Sequence, residues 1–453
     1  MKLSELKNNK LLLLFIPIFL ETFFLMLSGM ADTLMLSRVG DNAVGAVGTA
    51  NTYVTIFFIL FAVMSNGLVA VMTQYIGYGK KGVAFQARQL AIVINGIIGI
   101  ILTFILGFGA EAIVNGLGVA DNLKEDAIIY LRIIGSGCLF DALIPVFSSY
   151  LRAFDKSKYS LIAAFSGNIV NVIFNALAIF VFHTDVVGVA FATLIGKAVN
   201  IALCMLFGYL KIKGLRFPER VSRKKLILDI IRIGIPSALE TIIYSIAMGL
   251  IMMLLARMDT NGNAVTVKAY AQQITNFPYC VLFALSQANI IIVGWNIGRN
   301  ELKKSYKDTK VAALIALCSG MLFELLFALI SPMFLKMFTD NQEIIKFVQY
   351  ALFIDIALEL GRAINMVYGQ TLKSTGDSVF PAILGAIFMM SVAVGGSYLF
   401  GIVLKLNVLG VYIALAMDEC IRAIFMYLRW KTGKWEKKIV VKHDDVPILE
   451  ESN

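Results

Sequence analysis

The sequence predicts an all-α polytopic membrane protein, with twelve transmembrane helices in two six-helix bundles related by a parallel internal repeat. Three observations carry that prediction. Hydrophobic residues make up 59% of the 453 positions, charged residues only 15%, and the mean hydropathy is +0.80, more apolar than a water-exposed surface tolerates. Apolar runs of membrane length recur along the whole chain. The two halves echo each other in sequence.

A helix needs about 20 apolar residues to cross roughly 30 Å of hydrocarbon. The first half supplies runs at 11–37, 45–73, 89–112, 127–150, 160–182 and 188–210. The second supplies 227–257, 266–295, 311–336, 344–371, 379–404 and 409–429. The first run is too long for a cleaved leader and continues past an acid, Asp32, into more apolar sequence. Basic residues follow the even-numbered spans: Lys80, Lys81 and Arg88 after the second, Arg152, Lys156 and Lys158 after the fourth, "KIKGLRFPERVSRKK" (211–225) after the sixth, and Arg299, Lys303, Lys304 and Lys307 after the eighth. Lys2, Lys7 and Lys10 at the start and "RWKTGKWEKK" (429–438) at the end fall on the same side, whereas the 121–126 loop "DNLKED" is acidic. The positive-inside rule then makes both termini cytoplasmic, in a multi-pass protein of the cell membrane.

"IPIFLET" (16–22) opens the first span and "IPSALET" (235–241) the seventh, 219 residues on. "SYLRAF" (149–154), after the fourth span, is echoed by "QTLKST" (370–375), after the tenth, at an offset of 221. An even number of spans per half makes the repeat parallel, about an axis along the membrane normal. The expected organisation is an N-terminal lobe over 1–210, a basic cytoplasmic connector over 211–226, a C-terminal lobe over 227–430 and a cytoplasmic tail over 431–453. Two lobes of this kind suit an alternating-access carrier better than a channel.

Charged and amide side chains inside the spans mark candidate chemistry, because an intramembrane carboxylate costs about 2.5–3.5 kcal/mol on insertion scales and normally faces a cavity or a partner. Glu21 and Asp32, eleven residues apart, share one face of the first span. Asp32 reads either as an ion-handling acid or as an interfacial residue paired with Arg38. Asn168, Asn171 and Asn175 stack at i, i+3 and i+7 on the fifth span, either as ligands or as interhelical glue. Asp32, these amides and the Thr193 hydroxyl are hard oxygen donors, able to hold Na+ or to surround a proton on Asp32. On the tenth span Asp355, Glu359 and Arg362 fall on one face, where Glu359 is either locked to Arg362 or free to draw a cationic substrate. Glu240, the repeat partner of Glu21, neighbours that site. Asp418, Glu419 and Arg422 read as a clamp within the last span.

In order along the chain, "MADTLMLSRVG", "LRAFDKSKYS", "GNIVNVIFNAL", "GVAFAT" and "GVYIALAMDECIRAIFMYLRWKTGKW" resemble the multidrug and toxic compound extrusion (MATE) family. The resemblance covers almost the whole chain. It implies two six-helix bundles, cation-coupled export and a coupling acid on the first span, which Asp32 matches. Asn171, Asn175 and Thr193 match the residues that join that acid, with Na+ at Asp32, Asn171 and Asn175 as one form of the site. The second lobe departs from the family: Arg362 falls near a position where many members carry an acid. Glu21, Glu240, Asp355, Glu359 and Arg362 are therefore the candidates for the substrate cavity.

Several classes are excluded or poorly supported. The formal charge of +10 is explained by membrane topology, leaving no basic soluble face for a nucleic acid. The five cysteines lie within spans without paired spacing, and His183 and His443 are 260 positions apart, so no cofactor and no histidine metal site is expected. A membrane enzyme would need a convergent His, Asp or Cys constellation that is missing from the sequence. The expected activity is antiport of amphipathic organic compounds, cationic ones first, against H+ or Na+, by a monomer whose other partners are membrane lipids. A flippase for a lipid-linked saccharide is the alternative; its cavity would be lined by basic residues.

Overall fold

A computed structural model gives the fold, and it describes residues 10–116, 119, 121–213, 221–258, 263–336 and 339–441. In the first half, α1 (Lys10–Leu36), α2 (Asp41–Gly77) and α3 (Lys81–Gly116) are single long helices. The fourth span is broken into α4 (Asp121–Ser136) and α5 (Cys138–Ala153), which meet at 47°. The break is at Gly137, which joins the two helices with φ −95° and ψ 6° and leaves room for the Leu194 side chain. Next come α6 (Ser157–Ala176), continued by a π turn over Leu177–Val181, and α7 (Val186–Lys211).

The second half follows the same plan with α8 (Arg223–Met258), α9 (Asn263–Gly298), α10 (Leu302–Leu335) and α11 (Gln342–Thr375). Helix α12 (Val379–Phe388) runs on into π turns over Met389–Val394 and Ser397–Val403, and α13 (Asn407–Lys431) closes the bundle. The twelve predicted spans thus appear in order. Among the described residues nine helices are long and apolar enough to cross a membrane, and the bent pair makes a tenth. The remaining two, α11 and α13, are as long but carry charges at mid-length: Asp355, Glu359 and Arg362 on one, Asp418, Glu419 and Arg422 on the other. Some helices extend well past the apolar run that announced them, as α3 (Lys81–Gly116) does beyond 89–112, while α1 (Lys10–Leu36) matches its run of 11–37. Phe108, Leu322 and Met333 are 83%, 65% and 78% exposed, a surface that water would not tolerate and lipid does.

The chain packs as two compact units that divide between Gly234 and Ile235, with Gly77–Gly79 assigned to the second. The division lies inside α8 rather than in the basic connector expected over 211–226. The reason is close packing: Cβ atoms at Gly67 and Gly234 would strike the backbones of Ile230 and Val63, so the first turns of α8 lie directly on α2. Residues 214–220 of the connector and 442–453 of the tail lie outside the described residues.

In the first unit α6 packs on α1 and α7, and the bent pair packs on α3 and α7. Its core is built from Ala46, Ala50, Leu106, Leu131, Ile134 and Val189. In the second unit α11 is the hub, in contact with α9, α10 and α13, over a core that includes Ile251, Leu255, Leu352 and Tyr412. The π turns sit at matching places: Leu177–Val181 ends the fifth span and Ser397–Val403 the eleventh.

Candidate functional site

Asp32 lies four residues before the end of α1, on the stripe that meets α6. Its Oδ1 accepts from Asn175 Nδ2 at 2.7 Å. The Asn171 amide satisfies its neighbours in one orientation only, with its nitrogen donating to Asp32 Oδ1 at 3.0 Å and its oxygen accepting from the Thr193 backbone N–H at 3.3 Å. Asp32 is half-buried, Asn171 and Asn175 are buried, and Asp32 makes no ion pair with Arg38. Two N–H donors on one oxygen fix the carboxylate and leave Oδ2 open. The Thr193 hydroxyl turns back to the Val189 carbonyl at 3.0 Å, so this residue reaches the site through its backbone. Asn168, the third amide of the stack, lines a small apolar pocket with Phe24, Leu27 and Phe165 instead.

The other acid of α1 has a different fate. Glu21 Oε1 accepts from Arg152 at 2.9 Å, while Ser148 and Ser160 donate to its two oxygens at 3.3 and 3.1 Å. Glu240 pairs with Lys373 at 2.7 Å. These are the same pair twice: Glu21 and Glu240 are related by the 219-residue repeat, and Arg152 and Lys373 by the 221-residue echo.

The second unit contains a cavity of about 400 Å³. Glu240, Arg362, Lys373, Glu419 and Arg422 give it charge, and Gln272, Asn276, Asn365 and Gln370 give it amides. Of the five residues proposed from sequence, Glu240 and Arg362 are on this wall. Asp355 and Glu359 are not: they are 2% and 0% exposed, behind it, because their positions on α11 face α9 and α10. Glu21 belongs to the first unit and is spent in its ion pair. Glu359 Oε2 accepts from Arg362 at 2.6 Å. Arg422 bonds Asp418 at 2.6 Å and Glu419 at 2.7 Å, the expected clamp, and Asn365 donates to Glu419 at 2.7 Å. Every acid on the cavity wall is therefore neutralised by a base.

Four charged residues are not marked by the sequence motifs. Glu324, in "GMLFELLFAL" on α10, is fully buried and neither carboxylate oxygen has a partner. Lys268 on α9 places its ammonium 5.1 Å from the Tyr412 ring centroid and donates to Gln272 at 2.9 Å. Asp141 and Lys197, single charges in the fourth and sixth spans, form an ion pair at 2.8 Å. The available signal was that each is an isolated charge inside an apolar run.

The MatE family model matches residues 17–177 and 236–399, two blocks that begin 219 residues apart like the repeat itself. The chain belongs to the MATE family of multidrug efflux transporters. A Bacillus subtilis protein, the uncharacterized transporter YisQ, is 30% identical over 433 residues, covering 93% of this chain and 94% of that one. The probable multidrug resistance protein NorM of Thermotoga maritima is 22% identical over 451 residues, covering 98% and 96%. Among solved structures, a multidrug resistance MATE transporter in an outward-facing conformation superposes with a TM-score of 0.87 at 22% identity, covering 96% of each chain. A transporter of the same superfamily from Pyrococcus furiosus, described as having a binding pocket of reversed polarity, gives 0.85 at 21%, covering 93% and 95%. Twelve helices in two six-helix bundles are the fold these structures share with it.

Proposed function

We propose that the protein is a secondary antiporter, with both termini cytoplasmic, that exports amphipathic organic compounds as a monomer in exchange for a cation taken up on Asp32. The observation that carries this is the Asp32 carboxylate held by Asn175 at 2.7 Å and Asn171 at 3.0 Å without a basic partner. A carboxylate kept in place by neutral donors retains its charge for an incoming cation. Both amides turn nitrogen, not oxygen, toward Asp32, which suits H+ on the open Oδ2. Na+ would call on Asp32 and the Asn175 oxygen, which is buried without a partner, while the Asn171 oxygen is engaged with Thr193. Coupling needs only that ion and substrate stabilise different states, by a few kcal/mol.

Multidrug relatives support organic cations as the first substrates to try. One observation favours the second reading, transport of an anionic amphiphile such as a lipid-linked saccharide: on the cavity wall three bases, Arg362, Lys373 and Arg422, meet two acids, Glu240 and Glu419. Uptake of a fluorescent lipophilic cation into inverted vesicles, under an imposed pH gradient and separately under a Na+ gradient, tests both. Asp32→Asn should fold and insert but lose gradient-driven uptake, and Asn175→Ala should only weaken it. Native uptake by Asp32→Asn would remove Asp32 from the mechanism. Failure of the unaltered protein to respond to either gradient would favour the anionic substrate.

A further inference from the structure

The first unit holds a cavity of about 720 Å³ where α3 begins and α5 and α7 end. Arg88 stands on its wall. The guanidinium carbon is 4.2 Å from the Phe85 ring centroid, 4.5 Å from that of Tyr150 and 5.6 Å from that of Phe147, so aromatic faces hold the group in place. Rings orient a guanidinium without neutralising it. Elsewhere in the helices, Arg152, Arg362, Arg422 and Arg429 each meet a carboxylate at 2.6–2.9 Å. Among the described residues Arg88 has no ion pair and no hydrogen bond, and its Nε is buried without a partner. A desolvated, uncompensated guanidinium beside an open cavity is built to receive an anion.

The rest of the cavity narrows the choice of anion. Lys213, exposed just beyond the end of α7, adds a second base, while Lys211 lies over the Tyr159 ring at 5.2 Å instead. No Asp or Glu among the described residues lines the space. The α7 side is formed by Met205, Tyr209 and Leu210, which are 41%, 81% and 42% exposed on the outside of a membrane helix. A phosphodiester offers paired oxygens to the guanidinium fork, and the acyl chains below it can run along Met205 and Leu210. Free phosphate would use the two bases and leave that apolar side bare. A zwitterionic headgroup would bring an ammonium with no carboxylate to meet it. The cavity lies at the end of the bundle that carries the basic connections, where a second base reinforces the attraction of an anionic leaflet.

We infer that this cavity binds the headgroup of an anionic phospholipid, with the phosphate on Arg88 and Lys213 as a second contact. The site is independent of the exchange reaction, so its test requires neither a gradient nor a transported compound. Native mass spectrometry follows the purified full-length protein as it is titrated with phosphatidylglycerol, with phosphatidylcholine and with inorganic phosphate. The unaltered protein should retain one phosphatidylglycerol in preference to phosphatidylcholine, and excess inorganic phosphate should not displace it. Arg88→Gln should weaken phosphatidylglycerol binding about tenfold, the loss expected with charge-assisted hydrogen bonds. Lys213→Gln should weaken it less, and Lys307→Gln, which removes an exposed base from the second unit, should bind like the parent. The inference is overturned if Arg88→Gln keeps the parental affinity, if Lys307→Gln loses as much, or if phosphatidylcholine binds equally well. Displacement of the lipid by inorganic phosphate would also overturn it, leaving a site for a free anion. Should Arg88→Gln fail to fold, Arg88→Lys, which keeps the charge without the fork, and Lys213→Gln decide the matter: both should bind phosphatidylglycerol more weakly, and parental affinity in both would end the proposal.

Discussion

The Glu359–Arg362 pair makes an asymmetric prediction about stability. Arg362→Gln takes away the cation bonded to Glu359, whose Oε2 then joins an Oε1 that lacks a partner among the described residues, in a side chain that is 0% exposed. Breaking a buried pair from this side leaves an uncompensated charge, at a cost of about 3–5 kcal/mol. Glu359→Gln is different. Arg362 borders the cavity, its side chain is 18% exposed, and Asp355 and Glu419 remain as acidic neighbours, so the loss is one charge-assisted hydrogen bond weakened to a neutral one, about 1 kcal/mol. Thermal unfolding in detergent, followed by fluorescence-detected size exclusion, should therefore place Arg362→Gln at least about 6 °C below the parent, at roughly 2–4 °C per kcal/mol, and Glu359→Gln within about 4 °C of it. Glu359→Leu combined with Arg362→Met should recover most of the Arg362→Gln loss, because the two sites share one interaction. Equal losses from the two single glutamine variants, or a double variant that loses their sum, would refute the argument.

Two further predictions address topology and the Asp32 site. With Cys138, Cys204, Cys280, Cys318 and Cys420 replaced, a cysteine at Lys213 should resist impermeant thiol reagents in intact cells while one at Asn122 reacts; the reverse pattern would invert the orientation. Gly196→Ala would bring a Cβ within 2.7 Å of the Gly167 carbonyl oxygen and 2.8 Å of Asn171 Cβ, forcing α6 from α7 at a cost of about 1–3 kcal/mol and drawing Asn171 off Asp32. Uptake in vesicles should fall in that variant but not in Gly107→Ala, where a Cβ meets nothing within 4 Å, and native uptake by Gly196→Ala would sink the idea.

The spans were legible because lipid imposes one rule on every residue that faces it: Phe108, Leu322 and Met333 could not be polar whatever lay behind them. The meeting of Asp32 with Asn171 and Asn175 was legible only through the family resemblance, since the i, i+3, i+7 spacing alone allowed interhelical glue and put Asn168, which lines an apolar pocket instead, in the same stack. What the sequence could not supply was depth. Glu359 and Glu240 have the same composition and comparable surroundings in sequence, yet one is sealed behind the wall and the other lines it, a difference set by which neighbours α8 and α11 meet. Glu324 was passed over because no charge lies near it in sequence; its company comes from α11 and α13. The break at Gly137 was hidden because a lone glycine inside an apolar run is ordinary in a membrane helix.

The twin ion pairs, Glu21 with Arg152 and Glu240 with Lys373, separate what the two halves inherited from what they became. Each bundle fastens its first span to the end of its fourth with its own acid and its own base, so neither half borrows this fastening from the other. The Asp32 chemistry is not duplicated: the 219-residue register carries Asp32 onto Ile251, a fully buried member of the apolar core. The mechanical fastening is thus present in both halves while the open carboxylate is present in one. Damage to the fastening in one half leaves an intact copy to show what the normal geometry was, but the molecule has no spare for Asp32.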